Sequence, residues 1–252
     1  MIALLKQLAH RLGYRVTRLH NTDYFQINGL RCRLLDRGRP VHVVQIGGCD
    51  GVSFDPLHDW IRNHHDAIRG IVLEPLPDLF QRLQQNYAGL PNITPVNVAV
   101  HNTETSATIY RVDPARLRDA PDFAIGISSF DPDHHRRSNI NPQWIIQETV
   151  RCQTLPEIAK EHGMQRIDYL QIDTEGYDAE ILLGLDFSWT RPAVICFEHG
   201  GPAETMSPEQ RIAVRNHLHA AGYELILMES DAVAIHHGVM DGSMSDACHN
   251  NE

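Results

Sequence analysis

The sequence predicts an α/β domain: a mainly parallel sheet with helices on both faces. Three observations carry this. Apolar β-type runs alternate with helix-compatible segments from residue 41 to residue 236, the pattern of strands joined by helical crossovers. The first run, Val41-His42-Val43-Val44-Gln45-Ile46, ends in the glycine-rich turn Gly47-Gly48-Cys49-Asp50-Gly51. A second run, Ile71-Val72-Leu73, ends in the acid Glu74. Ligands of open α/β sheets bind beyond the carboxyl ends of the strands. Turn and carboxylate therefore mark a pocket for a nucleoside-bearing cofactor.

Each element follows from local pattern. Residues 2–16 read as an amphipathic helix, with Leu4, Leu5, Leu8 and Leu12 on one face. It packs on the main domain or a second subunit, or else forms a basic membrane-surface helix or a substrate lid. Strands are expected at 41–46, 70–73, 93–100, 105–111 and 149–153, and again at 167–172, 193–197, 223–228 and 232–236. Helices are expected at 56–65, at 77–87 with Pro77 in the first turn, and at 155–162 before Gly163. Two more follow, at 177–183 before Gly184 and at 208–221 before Gly222. Residues 113–148 are rich in Pro, Asp, His, Arg and Asn and read as an irregular, substrate-facing insert. The simplest organisation is an N-terminal helical extension at 1–40, one domain at 41–239 carrying that insert, and a polar, flexible tail at 240–252.

Composition narrows the function. A net charge of -10 argues against broad nucleic-acid binding. The charge is uneven: Lys6, Arg11, Arg15 and Arg18 lie in a stretch without Asp or Glu. Cys32, Cys49, Cys152, Cys196 and Cys248 are scattered and odd in number, with no CxxC. That suits reduced thiols rather than a disulfide framework or zinc site. No apolar run is long enough for a signal peptide or a membrane span, so a cytoplasmic protein is expected.

Chemistry gathers at strand ends. Glu74 stands twenty-three residues after Gly51, near the spacing at which a βαβ unit places an acid on a ribose diol. Asn97 lies in the third strand, where an amide can reach a purine or simply end a strand. The run Tyr169-Leu170-Gln171-Ile172-Asp173-Thr174-Glu175-Gly176-Tyr177-Asp178 delivers two carboxylates to the same crevice. Such acids can orient a cationic cofactor, accept a proton or bind a metal. Complementing a helix N-terminus accounts for Asp178 and Glu180 but does not require Asp173 and Glu175. Glu198 and His199 end a further strand beside Gly200 and Gly201. The pairs His64-His65, His134-His135 and His236-His237 show no metal-ligand spacing and receive no role; no metal ligands are assigned.

Together these segments resemble the FkbM family of S-adenosylmethionine-dependent methyltransferases. The matching pieces are Val44-Gln45-Ile46-Gly47-Gly48-Cys49-Asp50-Gly51, Leu73-Glu74-Pro75, Asn97-Val98-Ala99-Val100, the run from Leu170 to Asp178, and Phe197-Glu198-His199. The resemblance implies a class I (Rossmann-like) methyltransferase fold with seven strands, the last antiparallel, and S-adenosyl-L-methionine as cofactor. By position, Gly47, Gly48 and Gly51 would cradle the methionine part, with Gln45 and Asp50 in the same matched piece. Glu74, with Pro75 beside it, would bind the ribose, and Asn97 would lie near the adenine. Asp173 and Glu175 would line the reaction centre, Asp173 also touching the cofactor. Gln45 departs from the wider class I pattern, in which an acid often opens the glycine motif; an amide can hydrogen-bond but cannot pair with the cofactor ammonium.

The expected reaction is O-methylation of a hydroxyl on a sugar, glycan, lipid or secondary metabolite. Asp173, Glu175 and His199 are the candidate catalytic residues, with His199 as base. Two rivals are weighed. A nicotinamide-dependent oxidoreductase would share the architecture, but the GxGxxG spacing is missing. A non-catalytic binding protein on the same fold would have no need of Asp173, Glu175 and the glycine turn.

Overall fold

The computed structural model describes residues 22–200, 205–228 and 230–240. The helix expected at 2–16 and the tail beyond residue 240 lie outside them. The chain divides into two units between Gly38 and Arg39. Of the first unit the described part is residues 22–38, which begin with helix α1, Thr22–Leu35.

The second unit begins with strand β1, Val41–Ile46, followed by helix α2, His58–Asn63, and strand β2, Ile68–Leu73. Helix α3, Pro77–Asn86, opens with its proline in the first turn, where the missing N–H costs nothing. Strand β3 is Ile93–Val96 and β4 is Ala99–Val100. Next come β5, Ser106–Val112, the short β6, Ser128–Ser129, and the four-residue helix α4, His134–Arg137. Strand β7, Ile145–Gln153, leads into α5, Leu155–Glu161, which Thr154 and Glu157 close with a reciprocal capping box. The remainder is β8, Tyr169–Ile172; α6, Asp178–Leu183; β9, Val194–Glu198; α7, Pro208–Ala220; β10, Tyr223–Leu227; β11, Asp231–His236; and α8, His237–Met240.

Seven strands form the main sheet in the order β10-β11-β9-β8-β1-β2-β3. Pairing is parallel from β9 to β3, whereas β11 runs antiparallel to both of its neighbours. This is a class I, Rossmann-like order, with the last strand in sequence reversed and slotted beside the edge. Val44, Ile46, Ile71, Leu73, Leu170, Ile172, Ile195 and Phe197 are buried together in its core. Central strands covered on both faces read as near-continuous apolar runs, which is why β1, β2, β8 and β9 stand out in the sequence. Strand order reverses between β1 and β8, so the loops leaving them part and open a crevice. No helix among the described residues is long and apolar enough to cross a membrane.

The structure revises two sequence-based expectations. The strand expected at 93–100 breaks at Asn97 and Val98. Its first half pairs with β2, and its second half joins β7 in a separate four-stranded sheet, β4-β7-β5-β6. A local turn explains the break: Val98 N–H donates to Val96 O at 3.2 Å, and the Asn97 amide turns back onto the Glu74 and Pro75 carbonyls. The insert expected at 113–148 is also less irregular than its composition suggests. Its end is already β7, which pairs with β5 over the full register from Ser106↔Arg151 to Val112↔Ile145. Ser128 and Ser129 add to the β5 edge.

Candidate functional site

The carboxyl ends of β8, β1, β2 and β3 are latched to one another. Asp173 N–H donates to Ile46 O at 2.9 Å, Gly47 and Gly48 N–H both donate to Leu73 O, and Glu74 N–H donates to Val96 O. Gly47 has φ +84°, and a β-carbon there would overlap the Asp173 carbonyl oxygen. Only glycine lets the first and fourth parallel strand ends approach this closely. Above these ends lies a cavity of about 500 Å³, a size that suits a nucleoside-bearing ligand.

Of the residues singled out from the sequence, Gln45, Gly47, Gly48, Glu74, Pro75, Asp173 and Glu175 line this cavity. Glu74 is 3% exposed. Its Oε2 accepts from Cys49 N–H at 2.9 Å and its Oε1 from Leu76 N–H at 2.8 Å. Burial still pushes its carboxyl up to about 8 against the pull of those donors. Cys49 is raised to about 12 by burial and by the adjacent Glu74, so its thiol stays protonated and unreactive. Asp173 lines the cavity with its surface exposed there. Desolvation, then Glu175, Asp178, Glu198 and Asp231, hold its carboxyl well above the usual range. Glu198 also lines the cavity and is raised to about 8 by burial and by Glu175, Asp178 and Asp231.

Four expected residues lie elsewhere. Asp50 folds back on its own turn, accepting from Val52 N–H, Ser53 N–H and Ser53 Oγ–H. Gly51, at φ +77°, packs against Leu83 of α3 and Tyr87 just past its end. Asn97 supports the loop after β2 by donating to the Glu74 and Pro75 carbonyls, both at 2.9 Å, and its neighbours Val98, Ala99 and Val100 line the cavity instead. His199 is not at the cavity: its Nε2 is 3.0 Å from the Met228 carbonyl oxygen. The alternation that brings Glu198 to the cavity carries its neighbour away.

Asp178 is structural. Its carboxylate accepts from Thr174 N–H, Thr174 Oγ–H and Glu198 N–H, tying the loop after β8 to the end of β9. Burial raises it to about 6.

Sequence reasoning missed several cavity residues. Asp55 accepts from Gln45 Nε2–H at 3.0 Å, Leu57 N–H at 2.7 Å and Tyr87 O–H at 3.2 Å, and it lines the cavity. The signal was the amide at position 45, which leaves a charge requirement to be met nearby. Asp231 and Phe54 also face the cavity, Phe54 69% exposed with φ +58°. No local motif announces them.

The set suits a cationic cofactor. Gln45 Oε1 is a buried acceptor without a hydrogen-bond partner on the cavity wall, and Asp55, Glu74 and Asp173 place carboxylates around the same space. Leu79, Pro75 and Val98 supply apolar surface on which a purine can rest.

No curated protein matches this sequence. The chain is similar in structure to a methyltransferase from Geobacter sulfurreducens, with 12% identity over 93% of this chain and 87% of that one at a TM-score of 0.43. It is also similar to Aeropyrum pernix fibrillarin in complex with natively bound S-adenosyl-L-methionine, with 12% identity over 81% and 72% of the two chains at 0.40. A third is the Methanococcus jannaschii fibrillarin pre-rRNA processing protein, with 15% identity over 78% of this chain at 0.40; the match spans 66% of that protein, just under two thirds of its length. The Methyltransferase FkbM domain model matches residues 45–225, well over half of the sequence. The chain therefore belongs to the FkbM family of S-adenosylmethionine-dependent methyltransferases.

Proposed function

We propose that the protein methylates a hydroxyl oxygen on a sugar, glycan, lipid or secondary metabolite. The observation behind this reading is that one cavity is lined both by Glu74 at the end of β2 and by the acids Asp173 and Glu175 after β8. Cofactor binding and proton acceptance can therefore meet in one space.

When bound, S-adenosylmethionine supplies a methyl group on a sulfonium that is already electrophilic. What remains for the protein is orientation, worth up to roughly 7–11 kcal/mol in favourable cases, and removal of the hydroxyl proton. Glu74 would accept from the ribose hydroxyls through lone pairs that its backbone donors leave free. Asp55 and Gln45 Oε1 would receive the ammonium, Asp55 supplying the charge that an amide at 45 lacks. Asp173, crowded by like charges, gains most from a cation beside it and would hold the cofactor. Glu175 would take the acceptor proton, the role expected of His199 from sequence. The wall formed by Phe123 and residues 126–130 would meet the acceptor.

The test is a methyl-transfer screen with methyl-labelled S-adenosylmethionine against hydroxylated glycans, lipids and small metabolites, with amines and peptides in parallel. Label recovered on oxygen supports the reading. Label on nitrogen alone overturns it, and binding without transfer to any acceptor favours a non-catalytic protein.

A further inference from the structure

Sequence reasoning gave His134 and His135 no role, yet both are buried in the insert, 2% and 7% exposed. None of their four ring nitrogens meets hydrogen-bond geometry. Buried polar groups are nearly always paired, so nitrogens without hydrogen bonds on two adjacent residues require a reason. His134 Nε2 lies 2.7 Å from Glu175 Oε2, within ion-pair distance.

Glu175 is itself held in a costly shape. Its φ of +56° is a left-handed conformation that a non-glycine residue adopts only at a cost in free energy. Ser129 Oγ–H donates to its carbonyl at 2.6 Å, so the insert grips the residue by backbone and side chain together. Glu175 also sits among like charges, raising both Asp173 and Glu198. An unheld carboxylate there would swing away from its neighbours; contacts from the insert oppose that.

We propose that His134 is the positioning residue for Glu175: its Nε2–H holds Oε2 and presents the other carboxylate oxygen to the cavity. This rests on the reading of Glu175 as proton acceptor. The acceptor hydroxyl passes its proton to that outward oxygen, leaving a neutral carboxyl. The electron pair of the broken O–H bond stays on the acceptor oxygen and would form the bond to the methyl carbon as the carbon–sulfur bond breaks, its electron pair returning to sulfur to leave a neutral thioether. A proton on Nε2 is required, because an unprotonated nitrogen would face the carboxylate lone pair to lone pair.

The decisive experiment needs no acceptor. Long-range ¹⁵N–¹H correlation spectra of ¹⁵N-histidine-labelled protein are compared for wild type, His134→Gln (which assigns the signal) and Glu175→Gln. The expected result is a protonated Nε2 on His134 whose resonance moves in Glu175→Gln. An unprotonated Nε2, or a resonance indifferent to Glu175→Gln, overturns the proposal. With an acceptor from the screen, His134→Ala should lower kcat by about 10²-fold while acceptor KM and cofactor affinity hold, and His134→Gln should recover about tenfold. A folded, cofactor-binding His134→Ala with wild-type kcat also overturns it. Label on nitrogen in the screen would instead count against O-methylation, leaving the spectroscopic result to stand alone.

Discussion

On the side of the cavity formed by β1 and β2, most polar groups find partners within the protein. Glu74 takes two backbone N–H groups, Asp55 takes three donors, and Asp50 closes its own turn. On the side formed by the insert and the ends of β8 and β9, carboxylates crowd one another and the nitrogens of His134 and His135 lack hydrogen bonds. The first side is preorganised for a ligand of fixed shape. The second stores electrostatic cost that a cation and a proton-bearing acceptor would relieve, as sites built for chemistry tend to do.

If that contrast is right, substitutions on the two sides should fail differently. Glu175→Gln should lower kcat by about 10²–10⁴-fold while cofactor affinity holds, measured by steady-state kinetics beside calorimetry. Asp55→Asn should do the reverse, weakening S-adenosylmethionine binding by about ten- to a hundredfold with kcat at saturation little changed.

A smaller effect is expected on stability. Glu74 and Glu198 are both raised from an ordinary 4.5 to about 8. Between those values the folded protein keeps protons that the unfolded chain has lost, so stability falls as pH rises through that window. The lowered groups Asp50, Asp78 and Asp168 act at more acid pH and leave the window clear. Thermal unfolding without cofactor should show a Tm about 10–20 °C lower at pH 9 than at pH 6, and saturating cofactor should narrow the gap. A flat profile would mean these carboxylates are not desolvated. The smallest effect belongs to His199→Ala, whose kcat should stay near wild type at every pH; a clear loss would restore the histidine as base.

The preorganised side was the more legible in the sequence, and for a physical reason. Strands buried on both faces are largely apolar, so β1 and β2, and β8 and β9 on the other side, appear as local patterns together with the residues at their ends. Helix ends at Gly163 and Gly222 were readable because such caps are local chemistry. The contacts made by the insert were not legible. Ser129 reaches Glu175 across forty-six positions, and His134 meets it through a four-residue helix with no periodicity to betray it. Asn97 sits in the right segment, but its side chain turns to the backbone, a choice set by the break between β3 and β4.

The most direct measurement is calorimetric titration of S-adenosylmethionine into wild-type protein and into Glu74→Gln. Saturable single-site binding to the wild type, weakened about a hundredfold in the variant, would place the ribose at the end of β2. No binding to the wild type, or equal binding to both, would contradict the assignment of this cavity to the cofactor.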